Sequence, residues 1–446
     1  MLRSSGSGNL GPMRRRFAAL PAALLLLSLL APATAVAGDG GGHRPTATVT
    51  TSVETPPLYD DEAGGNASGD DPAIWVHPKH SNRSLVVTTA KEGGLRVYSI
   101  AATELQSLAA APAPRADGVP GRYNNVDIAY GLDVAGRKTD VAVVSDRYND
   151  QIRFFAIDPA GAKAAQPLTE VTAPELEFLF SPDRETVAED QTAYGLAVYQ
   201  RRGETYAVVT QEGSTDIATA RITTGPDGVG YTDVEHLAMP GEFPLPDGTT
   251  WVPCAEPGVE PQLEGLAVDR RTGTLYAAQE DVGLWRVPLP LGSGKPRLVD
   301  RVKDFGVHDA YDPETEECAP VDPEAPSYGG KNLTADAEGV DIWYGPGRKG
   351  YVIVSSQGDD TYGVYDLRGH NRALGTFRVA GDGVDDVNGS DGLAVSNAPV
   401  GKYRSGLLVT HDEPETGPDV DPSREEDATG FSYVHWSEVT KALRLR

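Results

Sequence analysis

Six times along the chain a polar or acidic residue, in four cases followed by glycine, opens a short apolar run. The runs are Asp71-Pro-Ala-Ile-Trp-Val, Asn124-Asn-Val-Asp-Ile-Ala, Tyr194-Gly-Leu-Ala-Val-Tyr, Glu264-Gly-Leu-Ala-Val-Asp, Glu338-Gly-Val-Asp-Ile-Trp and Asp391-Gly-Leu-Ala-Val-Ser, with openers 53, 70, 70, 74 and 53 residues apart. A turn rich in Gly, Arg, Lys or Asn follows each, then a second apolar strand: Leu85 to Thr89, Val141 to Ser145, Tyr206 to Thr210, Leu275 to Ala278, Tyr351 to Ser355 and Leu407 to Thr410. A charged turn then leads to an alternating third strand, such as Leu95-Arg-Val-Tyr98 or Leu284-Trp-Arg-Val287. Gly/Asn/Asp turns between alternating runs make antiparallel hairpins. Six such meanders imply radial closure around a channel, an all-β six-bladed β-propeller. A solenoid is the alternative, but its units are shorter and more regular. The last unit is short of strands. Phe431 to Trp436 supplies one, and Thr46 to Val53 is expected to pair with it and close the ring. Ser437 to Leu443 is expected to form a short terminal helix.

The first 37 residues read as a signal peptide. Arg14 to Arg16 form a basic start, Phe17 to Leu30 an apolar stretch interrupted by Pro21, and Ala35-Val36-Ala37 a small-residue cleavage site. A membrane anchor is the alternative, for which the stretch is short. Residues 38–446 are then the propeller domain of an exported, extracellular protein, with Met13 a second candidate start. The whole chain carries a formal charge of −26. The leader holds Arg3, Arg14, Arg15 and Arg16 and no acid, so the rest is more acidic still. Such a surface repels nucleic acid and anionic membranes. It repels an anionic substrate too, unless bound cations reverse the local sign. The two cysteines, Cys254 and Cys318, suit one disulfide in an exported protein better than a zinc site.

Equivalent positions of successive blades stand at one level around a propeller axis. The openers Asp71, Asn124, Tyr194, Glu264, Glu338 and Asp391 therefore form a ring at one channel mouth. Any single acid before a strand is more often a turn or cap residue. Four converging on one axis repel one another severely unless cations lie between them. Asp336 and Asp385 flank the ring. Oxygen ligands without His or Cys point to calcium. A second repeated position, the turn after each middle strand, carries Lys91, Arg147, Gln211-Glu212, Glu280, Gln357 and Asp412. Lys91 and Arg147, ordinary surface cations if taken singly, fall in adjacent blades beside the acidic ring. That combination suits a phosphate held between cations. There is no Cys-x5-Arg loop, no Arg-His-Gly segment and no Gly-x-Ser-x-Gly elbow. What remains is attack by water assisted by calcium ions, with a carboxylate as base.

Asp70-Asp-Pro-Ala-Ile-Trp-Val-His-Pro78, Asn124-Asn-Val-Asp127, Ser145-Asp-Arg147, Tyr194-Gly195, Glu264-Gly265, Ala335-Asp-Ala-Glu-Gly339, Ser355-Ser-Gln-Gly358 and Ser390-Asp-Gly392 together resemble the β-propeller phytases, from about Glu54 to about Leu443. The resemblance implies a calcium-dependent phosphoric monoester hydrolase of the 3-phytase type, cleaving phytate by direct water attack. It implies that Glu54, Asp71, Glu264, Asp336, Glu338 and Asp385 hold several calcium ions. It places Lys91, Arg147 and Tyr194 on the scissile phosphate, with Glu264 and Glu338 in the catalytic set. Glu280, Gln357, Asp391 and Asp412 match the region of a second phosphate. Two departures bear on that region: Glu92 and Gln211-Glu212 stand where the family often carries basic residues. Two insertions, about Gly241 to Gln262 and Asp304 to Gly330, each contain one cysteine and precede the openers of blades four and five. A Cys254–Cys318 bridge is expected to join them into a rim beside the site.

Two other readings remain. One is a calcium-dependent lactonase or phosphotriesterase, which uses fewer carboxylates and has no need of Lys91 and Arg147. The other is a non-catalytic propeller that binds a protein or glycan. On the phosphatase reading the partner is a small phosphate ester, phytate as a calcium complex, and the closed ring leaves few strand edges for self-association. A monomer is expected.

Overall fold

The structure, a computed structural model, describes residues 45–60, 64–114, 118–189, 191–315 and 317–445. The signal-peptide reading of residues 1–37 lies outside them. Six four-stranded antiparallel meanders follow one another, with inner strands Pro72–Trp75, Tyr123–Val134, Ala193–Arg201, Leu263–Asp269, Ala337–Tyr344 and Leu393–Val395. Each inner strand touches the next around the axis, and Leu393–Val395 returns to Pro72–Trp75. The chain is a six-bladed β-propeller.

The middle strands are the driest part of each blade. Leu85, Val86, Val87, Val141, Val143, Val144, Val352, Ile353, Val354, Leu407, Leu408 and Val409 are fully buried. Their two faces fill successive inter-blade layers. Leu85 and Val87 meet Val126 and Ile128 between blades one and two, while Val86 meets Leu407 and Val409 on the other side. Each such side chain contributes about 1.5–3 kcal/mol of transfer free energy, which is why these strands read as continuous apolar runs.

Closure differs from the expectation. Blade six is completed by Leu58–Tyr59, whose residues pair with Thr429 and Ala428 on Ala428–His435. The segment expected to do this forms Ala47–Thr51, which runs parallel to Phe377–Gly381 as a fifth strand of blade five. Its alternating pattern fits either edge, and here it covers the outer edge of Ala373–Gly381, where unpaired backbone groups would otherwise face water. It also touches blade six: Thr51 Oγ1 donates to Tyr433 O at 2.7 Å, and Val53 O accepts from Tyr433 N at 2.8 Å. The terminal helix spans Trp436–Ala442. No described helix is long and apolar enough to cross a membrane.

The two insertions form hairpins, Phe243–Pro244 with Thr250–Trp251 and Asp309–Asp312 with Glu317–Pro320. Cys254 and Cys318 are bonded, with Cα atoms 6.0 Å apart. The two insertions also pack together: Trp251 meets Phe305 at 4.5 Å between ring centroids, and its Nε1 donates to Val307 O. The bridged insertions are therefore a packed element.

Candidate metal and phosphate site

In blades two to five the inner strand slips register at its opener, between Tyr123 and Val126, Ala193 and Leu196, Leu263 and Leu266, and Ala337 and Val340. Each slip spans the opener and the residue after it. A β-bulge of this kind bends the strand and re-aims side chains. The freed N–H groups find hydroxyls on the middle strand: Asn125 N donates to Ser145 Oγ at 3.0 Å and Gly195 N to Thr210 Oγ1 at 2.9 Å. In blade one Asp71 N does the same to Thr89 Oγ1. The glycines have a steric cause. A Cβ on Gly195 would lie 1.9 Å from Glu264 O, and one on Gly265 would lie 2.2 Å from Glu338 O. The opener–glycine pair marks a bulge pressed against the next blade's opener.

Glu264, Glu280 and Glu338, all buried, place one carboxylate oxygen each within 4.8 Å of one another. Asn124 Nδ2 donates to Glu264 at 2.7 Å, and Gln262 Nε2 reaches both oxygens of Glu280 at 2.9 Å. Glu338 Oε2 is buried and has no hydrogen-bond partner among the described residues. Burial pushes the Glu338 carboxyl well above its usual range, and the charges of Glu264 and Glu280 push it further. Burial does the same to Glu280, followed by Asp336 and Glu264. These groups are largely shielded from water, and among the described residues no cationic side chain forms an ion pair with them, so a hard divalent cation fits the donor set.

A second group joins Glu54, Asp385 and Glu415. Its assembly follows from the parallel pairing of Ala47–Thr51 with blade five. Parallel strands leave a sheet at the same end, so the residues after Thr51 and after Gly381 emerge together, tied by Asp382 N to Thr51 O at 2.7 Å. Glu54 Oε2, Asp385 Oδ1 and Glu415 Oε2 are buried and unpartnered among the described residues. Burial, then neighbouring acids, raises Glu54 to about 7 and Glu415 to about 9. Asp412 stands beside this group; it accepts from Asn388 N, and burial followed by Glu415 holds it well up. In a third group, Asp391, His411 and Glu413, burial lowers His411 to about 3, so its neutral ring accepts from Asp391 N.

The cations gather on blades one and two. Lys91 Nζ lies 3.4 Å from Asp70 and 3.9 Å from Asp391. Burial alone would lower its pKa, but Asp70, Asp391 and Glu413 outweigh burial and raise it. Arg147 gives Nε and a terminal nitrogen to the two oxygens of Glu212, gives Nη1 to Asn124 Oδ1 at 3.1 Å, and lies 5.0 Å over the Tyr194 ring. Burial, then Glu264, Glu280 and Glu338, raises the Tyr194 phenol far above its usual range, so it remains a hydroxyl donor. Arg122 pairs with Glu92, which also accepts from Tyr148 OH at 3.2 Å. Backbone bonds hold the three cations together: Tyr123 N donates to Lys91 O, and Arg147 N to Arg122 O.

The Phytase family model matches residues 17–228 and 310–445. Over 429 residues, 95% of this chain and 92% of the relative, the sequence is 31% identical to the 3-phytase of Bacillus subtilis (strain 168). The chain belongs to the phytase family. Among solved structures it is similar to the calcium-binding protein regucalcin from Agrobacterium tumefaciens, at a TM-score of 0.43 and 12% identity, over 87% of this chain and 97% of that one. It is also similar to the Malassezia sympodialis allergen Mala s 1, at 0.41 and 11%, over 83% and 93%.

In this phytase-family chain the residues marked in the sequence fall into distinct neighbourhoods. Glu264, Glu280 and Glu338 share one group, with Asp336 in electrostatic reach of Glu280, while Glu54 and Asp385 share another. Lys91 and Arg147–Tyr194 line the cationic side. Gln357 donates to Asp391, which faces Lys91. Asp71 accepts from Val126 N at 3.0 Å, a link between blades one and two, and joins none of the three groups. It is the preceding Asp70 that faces Lys91. Asp70, Arg122, Glu413 and Glu415 were not singled out from sequence. Asp70 precedes the opener, Arg122 precedes a strand, and Glu413 and Glu415 follow Asp412 in a turn, all outside the two repeated positions.

Proposed function

We propose that this chain is a calcium-dependent phytase. It hydrolyses phosphate monoesters of phytate (myo-inositol hexakisphosphate) by direct attack of water, giving inorganic phosphate and lower inositol phosphates. The observation that carries this reading is the meeting, at one channel mouth, of the Glu264–Glu280–Glu338 group with Lys91, Arg147 and Tyr194, in a chain related to a 3-phytase. Glu264, Glu280 and Glu338, with Asp336, Asp70 and Asp71 around them, would hold the calcium ions at the reacting phosphate. Glu54, Asp385 and Glu415 would hold a further one. Calcium bound there supplies positive charge that neutralises the phosphoryl oxygens and makes water a better nucleophile.

The chain's own residues do the rest. Lys91, Arg147 and Tyr194 grip the phosphoryl oxygens. Gln357, Asp391, Glu280 and Asp412 border the space for neighbouring phosphates. A carboxylate of the Glu264–Glu338 pair takes the proton of the attacking water as the P–O bond to inositol breaks, and returns it to the departing inositol oxygen. The leader at residues 1–37 and the Cys254–Cys318 bridge support export to an oxidising compartment. The closed ring supports a monomer.

Phosphate release from phytate, with and without calcium, compared among wild type, Glu338→Ala and Arg147→Ala, tests this reading. Loss of activity on chelation and in both variants is expected. Activity that survives all three would overturn it.

A further inference from the structure

Every cation of the phosphate-facing side already has an anion. Lys91 faces Asp70 and Asp391, Arg122 faces Glu92, and Arg147 faces Glu212. These anions differ in kind. Asp391 belongs to one of the three acidic groups and Asp70 lies in the field of Glu264. Glu92 and Glu212 belong to none of the three groups. Among the described residues the Glu212 carboxylate has one polar side-chain partner, Arg147.

The Arg147 contact has the geometry of anion recognition. A guanidinium presents a planar fork of N–H groups that donates to two oxygens of a carboxylate or of a phosphate, and it cannot give the same fork to both. The Nε edge of Arg147 holds Glu212 at 3.0 Å, the Nη1 edge holds Asn124, and the face lies over Tyr194. The edge left for a phosphoryl group is the one Glu212 occupies. Glu212 itself sits in the turn after Glu204–Gln211, anchored through its backbone N to Thr192 O at 2.9 Å, and is followed by Gly213 at φ +63°. Its side chain can therefore swing away without moving the blade.

We propose that Glu212 is a displaceable internal anion of the phosphate pocket, a specificity-determining residue that competes with substrate and product phosphate for Arg147. This inference rests on the phytase reading above and deepens it. Substrate entry exchanges the Glu212–Arg147 pair for a phosphate–Arg147 pair. Return of Glu212 helps to expel the inorganic phosphate product. Glu212 raises both KM and the dissociation constant for inorganic phosphate.

The test is made on the calcium-loaded full chain. Calorimetric titration with inorganic phosphate is run on wild type, Glu212→Gln and Glu212→Ala, alongside KM and kcat on phytate. Glu256→Gln removes the same charge from the rim loop and serves as control. Phosphate binding and KM both tighten in the Glu212 variants, on the order of tenfold, while the control changes less than twofold. Arg147→Lys added to Glu212→Gln abolishes the gain, because lysine lacks the fork. Unchanged or weaker phosphate binding in both Glu212 variants overturns the proposal, as does an equal gain in Glu256→Gln. A wild type that binds phosphate but releases none from phytate fails the phytase reading instead.

Discussion

Asn124 Nδ2 donates to Glu264 Oε1 at 2.7 Å, while its Oδ1 accepts from Arg147. One amide thus ties the acidic side of the mouth to the cationic side. It is the opener of blade two, set on the axis by the bulge between Tyr123 and Val126. An amide is required because the position must donate in one direction and accept in the other.

Asn124→Asp keeps the shape and loses the donor, placing a second carboxylate against Glu264. Asn124→Ala removes both bonds. In both variants kcat/KM on phytate falls on the order of ten- to hundredfold, the cost of one or two buried charge-assisted hydrogen bonds. The melting temperature stays within a few degrees of wild type. Steady-state kinetics beside a thermal melt separates the two effects, and an unchanged kcat/KM in Asn124→Asp would remove the amide from the mechanism.

The six openers were legible in the sequence because their cause is local. In blades two to five a bulge, with a hydroxyl on the adjacent strand or a glycine under the next blade, leaves a repeated mark: a polar or acidic opener before an apolar run, with a middle strand that ends in Ser or Thr in five of the six blades. Ring closure was not legible. Ala47–Thr51 alternates equally well for the edge of blade five or blade six, and tertiary contact decides. Glu415 stayed hidden for the same reason, since its partners Glu54 and Asp385 meet only once that parallel strand is in place. Glu92 read as the loss of a cation. In the fold it pairs with Arg122, a partner that the sequence spacing did not reveal.

The buried acids give the calcium-free protein a definite pH dependence. Burial first, and neighbouring carboxylates in some cases, raise Glu54 and Asp70 to about 7, Glu415 to about 9, Asp127 to about 7 and Asp341 to about 6. Their ordinary values are 3.8 for Asp and 4.5 for Glu. Each folded-state pKa exceeds the unfolded one, so the folded chain keeps protons that the unfolded chain releases. Stability is then fully present below about pH 4 for these groups and is lost as pH rises through 6 to 9. In EDTA the melting temperature at pH 8 is lower than at pH 5 by about 5 °C or more. Calcium binds the deprotonated carboxylates, so it stabilises more at pH 8 than at pH 5. Scanning calorimetry at both pH values with and without calcium checks the sign; a calcium-free protein more stable at pH 8 contradicts it.

Gly265 offers the sharpest test of how the site is positioned. A Cβ there would meet Glu338 O at 2.2 Å, Glu338 C at 2.8 Å and Gly339 C at 2.9 Å, all backbone atoms of the neighbouring opener. No flexible side-chain end can yield, so Gly265→Ala must push the inner strands of blades four and five apart and move Glu264 relative to Glu338. Overpacking of this kind costs about 1–3 kcal/mol, a modest loss in a propeller of this size. The loss of function is much larger, because the carboxylate oxygens of Glu264 and Glu338 must stay within one cation's reach of each other. Calcium affinity falls by at least tenfold and phosphate release from phytate falls with it, whereas Gly225→Ala, at the end of strand Asp216–Gly225 on blade three with nothing within 4 Å, leaves calcium affinity and activity near wild type. Calcium titration followed by calorimetry on both variants decides the matter: equal calcium affinity in Gly265→Ala and wild type would show that the bulge contact does not set the spacing of the two carboxylates.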